Sequence, residues 1–168
     1  LFLGIALIEE VAKYLVVRIK VLKSAELDEP LDLMLYMIIG ALGFAAIENI
    51  LILLLPEKPL LIKEASIISG FRFITATFLH ALSSGTIGYF LAKGLFELKN
   101  KIRLLLTGFI MAIALHGLFN SFIIMVDKKM IRVELGFSLV AGVLIFFAVF
   151  VTLGFQNLKK LSSICKIK

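Results

Sequence analysis

The sequence predicts an all-α protein, a polytopic membrane helix bundle of about five transmembrane helices. Three observations carry this prediction. The 168 residues are 61% hydrophobic, against roughly half in a soluble domain, and the mean hydropathy is +1.07. Apolar runs of about 20 residues recur, the length that crosses a bilayer core. Most of the 18 lysines and arginines sit at the ends of those runs, where membrane proteins carry them for topology. The net charge of +6 is therefore read as topology and does not suggest a nucleic-acid partner.

The first helix is expected at about 1–22. The chain opens on Leu1 and is apolar from there, so it reads as a core with further residues upstream. It lacks the basic region and small-residue cleavage site of a signal peptide. The second helix is expected at 31–55, introduced by Asp28-Glu29-Pro30 with proline near the first turn and closed by Pro56 and Pro59. Leu60-Leu61-Ile62-Lys63-Glu64 reads as a segment along the interface before the third helix at 65–92. The fourth is expected at 102–126, and Asp127-Lys128-Lys129 separates it from the fifth at 134–158. Beyond Glu134 at its first position the last has no charge, and it has many β-branched and aromatic residues, so it reads as a lipid-facing or packing helix. The whole of 1–168 reads as one transmembrane domain, with a motif-bearing core at 1–126 and a basic tail at 159–168. There is no repeat or low-complexity linker. The single cysteine, Cys165, excludes an internal disulfide and a cysteine metal cluster. It reads as a free thiol in the tail, with lipidation as the alternative.

The cations orient the bundle. Arg18, Lys20 and Lys23 follow the first helix, Lys93, Lys99, Lys101 and Arg103 follow the third, and Lys159, Lys160, Lys166 and Lys168 end the chain. The opposite ends carry only Lys58, Lys63, Lys128, Lys129 and Arg132. The positive-inside rule places the first group in the cytoplasm, with the N-terminus outside and the C-terminus cytoplasmic.

Four of the spans hold polar residues where charge costs about 2.5–3.5 kcal/mol each. The first has Glu9-Glu10 with Lys13, the second Glu48-Asn49, the third His80, and the fourth His116 with Asn120. At 1.5 Å per residue these lie at overlapping depths, roughly 10–23 Å from the outer surface. A shared buried site explains that agreement. On the helical wheel Lys13 lies about 40° from Glu9 and about 60° from Glu10, so it can pair with either. The motif then either frees one carboxylate for chemistry or forms a self-neutralising structural pair.

Phe44 shares a face with Glu48, and Gly40, Ala41, Gly43 and Ala45 are small enough for a close helix contact. The packing-helix alternative leaves Glu48 reaching for water. His116 and Asn120 lie one turn apart and can present two donors to a developing negative charge. Ser84, one turn from His80, either orients that ring or joins a small-residue stripe with Gly88 and Ala92. Arg72 either snorkels to the interface or pairs with Glu48 or Glu64. No serine or cysteine nucleophile motif occurs. A Glu/Glu/His/His set can also bind zinc.

These segments resemble the PrsW family of intramembrane proteases, a branch of the group containing CAAX prenyl endopeptidases and bacteriocin-processing membrane proteases. The matching pieces are Glu9-Glu10-Val11-Ala12-Lys13, Phe44-Ala45-Ala46-Ile47-Glu48-Asn49, the isolated His80, and His116-Gly117-Leu118-Phe119-Asn120, in the family's order over about 1–126. The resemblance implies an integral protein of a prokaryotic cytoplasmic membrane that cleaves a membrane-anchored substrate, with site-one cleavage of an anti-sigma factor as the family's role. Relatives include a non-proteolytic scaffold subunit of gamma-secretase.

The expected reaction is peptide hydrolysis within the membrane, on a single-pass protein cleaved near the outer face. The catalytic set is Glu9, Glu10, Glu48, His80, His116 and Asn120, supported by Lys13, Phe44 and Asn49. Glu9 is expected to act as general base on a water, following the resemblance, since periodicity does not separate it from Glu10. Glu48 or His80 holds the water, and His116 and Asn120 stabilise the oxyanion. No cofactor is favoured. Zinc is the alternative, held by Glu9, Glu48, His80 and His116. A non-catalytic scaffold and an ion-coupled transporter are the other readings, the latter requiring broken helices and an inverted repeat.

Overall fold

The computed structural model describes residues 2–24, 27–54 and 62–161, with only the backbone described at 62–69 and 71–73. The described residues form five α-helices: α1 (Phe2–Lys20), α2 (Pro30–Leu54), α3 (Ile62–Phe96), α4 (Lys101–Asp127) and α5 (Val133–Leu158). A 3-10 turn, Leu98–Asn100, leads into α4. The all-α class is as the sequence predicts. Among the described residues, three stretches are long and apolar enough to cross a membrane: Pro30–Leu54, Leu98–Asp127 and Val133–Leu158. The remaining two helices carry the charge-bearing middle of α1 and the His80 region of α3.

Local chemistry sets the ends. Pro30 opens α2, where its missing N–H is no loss. Asp32, in the first turn, accepts hydrogen bonds from the backbone N–H of Glu29 at 2.9 Å and of Asp28 at 3.3 Å, one half of a capping box. α4 ends with Lys129 at φ 56°. The N–H of Met130 donates to the carbonyl of Met125 at 2.8 Å and that of Lys129 to Val126 at 2.9 Å. This is a Schellman closure with lysine where glycine is usual.

α3 differs most from expectation. Its 35 residues span about 52 Å, well beyond a core of about 30 Å. Residues 62–64, expected along the interface, are its first turn. No proline or glycine stands between them and Gly70 to break the helix. The expected roles of Pro56, Lys58, Pro59, Leu60, Leu61, Cys165, Lys166 and Lys168, and of the Lys63, Glu64 and Arg72 side chains, fall outside the described residues, as does Leu1.

α3 is the central element and contacts the other four helices. Its seam with α2 is tightest at Gly88, where a Cβ would lie 2.7 Å from Met34 Cα and 2.9 Å from the Leu33 carbonyl. Gly43 does not have the close-contact role expected of it: a Cβ there meets nothing within 4 Å. On that helix Ala41 and Ala45 are the buried small residues. The core joins Tyr14 and Val17 of α1, Met34 and Met37 of α2, Leu79 and Ile87 of α3, Phe119 of α4 and Phe147 of α5. α5 both packs and faces outward. Val140, Phe147 and Val151 are buried, while Ile145, Phe146 and Val149 are exposed, as an apolar solvent permits.

Candidate active site

α1, α2, α3 and α4 bring the predicted polar residues into one cluster. Adjacent positions on a helix point about 100° apart, so Glu9 and Glu10 face different surroundings. Glu10 is fully buried. Its Oε1 accepts from Lys13 Nζ at 2.8 Å, Ser83 Oγ at 2.8 Å and His116 Nδ1 at 2.9 Å, and its Oε2 accepts from Ser84 Oγ at 3.0 Å. A buried carboxylate requires such compensation. Lys13, able to pair with either glutamate on the helical wheel, is paired with Glu10.

Glu9 faces the cleft instead. Its side chain is 17% exposed, and its Oε2 lies 3.5 Å from His116 Nε2 and 4.0 Å from His80 Nδ1. That oxygen is buried and has no hydrogen-bond partner among the described residues. One ligand atom each from Glu9, His80 and His116 lies within 4.8 Å of the others.

His80 is held on both ring nitrogens, by Lys13 Nζ at Nδ1 and by Glu48 Oε2 at Nε2, each at 2.7 Å. The two imidazoles meet edge to face, centroids 5.1 Å apart. Phe44 covers the cluster, its ring 5.6 Å from that of His80 and 4.7 Å from Lys13 Nζ. It therefore shields the lysine by a cation–π contact. Asn49 stands back from the site and donates to Thr77 Oγ1 at 3.1 Å, tying α2 to α3.

The cluster lies on the wall of a cleft of about 680 Å³, within the range of ligand sites. Glu9, Glu48, His80, His116 and Asn120 all line it. Apolar walls come from Phe2 and Ile5 of α1, Phe119 and Ile123 of α4 and Phe137 of α5. Asp127, the last residue of α4, also lines it. The cleft thus runs from the cluster toward the end of the bundle where α1 begins and α4 passes to α5. α5, expected to play no part, contributes an apolar wall.

Sequence reasoning missed Ser83 and misplaced Ser84. Neither orients His80 through its ring, and Ser84 is not merely small, because both hydroxyls bind Glu10. The available signal was two hydroxyls in the turn after His80, but their target on α1 is 73 and 74 residues distant in sequence.

The residues present fit a divalent metal. Bond lengths of about 2.0–2.2 Å in a tetrahedral zinc site put ligand atoms about 3.4 Å apart; the 3.5 Å separation of Glu9 and His116 matches, and His80 Nδ1 stands slightly farther out, 4.0 Å from Glu9. The partnerless oxygen of Glu9 is the donor such an ion would satisfy. Glu10 behind His116 Nδ1 supplies the carboxylate that commonly orients a ligating imidazole.

Comparisons with known proteins identify the family. A family model described as PrsW family intramembrane metalloprotease matches residues 1–154. The Protease PrsW of Geobacillus kaustophilus is 34% identical over 119 residues, covering 71% of this chain and 49% of that protein. The Protease PrsW of Clostridioides difficile is 32% identical over 130 residues, covering 76% of this chain and 52% of the relative. That of Oceanobacillus iheyensis is 33% identical over 124 residues, covering 71% and 52%. The chain spans about half the length of these curated relatives. No solved structure matches. From the extent of these matches, the chain belongs to the PrsW family of intramembrane proteases.

Proposed function

We propose that this chain forms the catalytic domain of a metal-dependent intramembrane endopeptidase acting on a membrane-anchored protein. The observation that carries the reading is the meeting of Glu9, His80 and His116 from three helices, with a buried Glu9 oxygen that lacks a partner. This reverses the sequence-based preference for a metal-free glutamate mechanism, which finds no support in the family description. The ion would be held by Glu9, His80 and His116, and when bound it supplies a Lewis acid and a water activated near neutral pH.

The protein groups around it do the rest. Glu48 has a 30% exposed side chain at the cleft and accepts the proton from the attacking water. Asn120, on the same wall one turn beyond His116, donates its amide to the developing oxyanion. Glu10 holds the His116 ring in place through Nδ1. Phe44 and Lys13 seal the inner side of the cluster.

On the positive-inside reading, the cleft opens toward the outer face and α1 and α3 cross the membrane with the other three helices. The substrate is then a single-pass protein, cleaved where its helix unwinds into the cleft near that face. An anti-sigma factor is the substrate class suggested by the family resemblance. The full 1–168 segment acts as one domain in this reading.

The test uses the intact protein in a host membrane. Membrane-proteome N-termini are compared between wild type and Glu9→Gln, His80→Ala and His116→Ala, alongside the metal content of the purified proteins. New N-termini present only with wild type, and a bound divalent ion lost in all three variants, support the proposal. Cleavage that continues in metal-free protein returns the reaction to glutamate alone. Identical N-termini in wild type and variants, with all well expressed, favour the scaffold.

A further inference from the structure

His80 has no free lone pair to offer a metal in this arrangement. An ammonium only donates hydrogen bonds, so at 2.7 Å from Lys13 Nζ the Nδ1 of His80 is an acceptor. A carboxylate only accepts, so at 2.7 Å from Glu48 Oε2 the Nε2 carries the proton. Both ring nitrogens are occupied. His116 differs: its Nδ1 proton points to Glu10 Oε1 at 2.9 Å, leaving the Nε2 lone pair toward Glu9 at 3.5 Å. Two of the three candidate ligands are therefore ready, and the third is held by a buried cation.

Resting on the metal-dependent reading, we infer that Lys13 is a built-in competitor for the metal, releasing His80 Nδ1 when the ion is taken up. Its other contacts allow this. Lys13 keeps Glu10 Oε1 at 2.8 Å and the Phe44 ring at 4.7 Å, so its charge stays compensated after it leaves His80. Glu10 in turn keeps Ser83, Ser84 and His116 as donors, so its carboxylate stays in place. Lys13 is thus a positioning residue with two duties. It holds the cluster together, and it sets how strongly a divalent ion must bind to take its place at His80. The same exchange keeps the unloaded cluster from collapsing around unpaired groups in hydrocarbon, where they are costly.

The measurement is cobalt(II) affinity of the full-length protein in detergent, read from the visible bands of the bound ion. Wild type is compared with Lys13→Met, His80→Ala and the double variant. Lys13→Met should bind cobalt about ten- to a hundredfold more tightly, the factor a charge-assisted hydrogen bond is worth. His80→Ala alone should lose tight cobalt binding, and adding Lys13→Met in that background should restore none of it, because the competition acts through that imidazole. Lys13→Gln, which keeps an amide donor, should move affinity the same way by less, and it serves if the methionine variant misfolds. Equal or weaker binding by the Lys13 variants overturns the inference. So does a gain that survives His80→Ala, since that is charge repulsion through space. Absence of cobalt uptake by wild type and the Lys13 variants alike refutes the metal-dependent reading itself, and the competition with it.

Discussion

Replacing Glu10 with glutamine changes one charge and almost no volume, so it isolates the electrostatics of the cluster. The amide oxygen can take the place of Oε1 and still accept from Lys13, Ser83 and His116. The amide nitrogen can take the place of Oε2 and donate to Ser84, whose hydroxyl accepts as readily as it donates. The hydrogen bonds are therefore conserved in number. What is lost is the counter-charge of a lysine whose residue is 2% exposed. Removing one partner of a buried ion pair costs about 3–5 kcal/mol, a large share of a typical total stability of about 5–15 kcal/mol. Glu10→Gln should be destabilised by about that amount in a reversible unfolding titration in mixed micelles. Adding Lys13→Met should restore most of the loss, because the uncompensated ammonium is gone, and the double-mutant cycle reads the coupling directly. A loss below about 1 kcal/mol, the value of a solvent-exposed pair, would refute the claim that this cluster is dry. So would a double variant with the summed cost of the two single ones.

Other outcomes follow from the same structure. Gly88→Ala should cost roughly 1–3 kcal/mol or more in thermal or detergent unfolding, because its Cβ meets the α2 backbone at Met34, which cannot rotate away. Gly142→Ala, with nothing within 4 Å of its Cβ, should instead gain about 0.5–1 kcal/mol from helix propensity. Lys129→Gly should raise the melting temperature, because φ 56° at that position carries a penalty of roughly 1–2 kcal/mol for an L side chain that glycine escapes. Glu9→Gln should leave the melting temperature of the metal-free protein almost unchanged, since its Oε2 has no hydrogen bond to lose, while abolishing metal uptake and cleavage. A stability drop in Glu9→Gln comparable with that of Glu10→Gln would show that the two glutamates have been assigned the wrong way round.

Much of the fold was legible because a bilayer core imposes a simple length rule. Four of the five helices begin within one residue of expectation, where Pro30 and the charged stretches around Lys101 and Asp127 mark the boundaries. The exception, α3, was cut short because a charged pair at Lys63-Glu64 reads as an interface, although nothing there stops a helix. Close packing was less legible. The small residues Gly88, Ala92, Ala41 and Ala45 do sit in buried seams, as their pattern suggests, whereas Gly43 does not, because which face of a uniformly apolar helix turns inward depends on its neighbours.

The sequence by itself determined the helical class, most of the helix boundaries and the residues that would have to meet. Polar groups in four apolar runs at overlapping depths leave few other arrangements, since hydrocarbon offers them no water. Only the tertiary structure decided which glutamate faces the cleft and which is buried. Glu9 and Glu10 are equivalent by periodicity relative to Lys13. They are separated by Ser83, Ser84 and His116, which arrive from α3 and α4 and surround one carboxylate while leaving the other with a partnerless oxygen. That choice depends on contacts across more than seventy residues of chain, to which a local helical pattern carries no information.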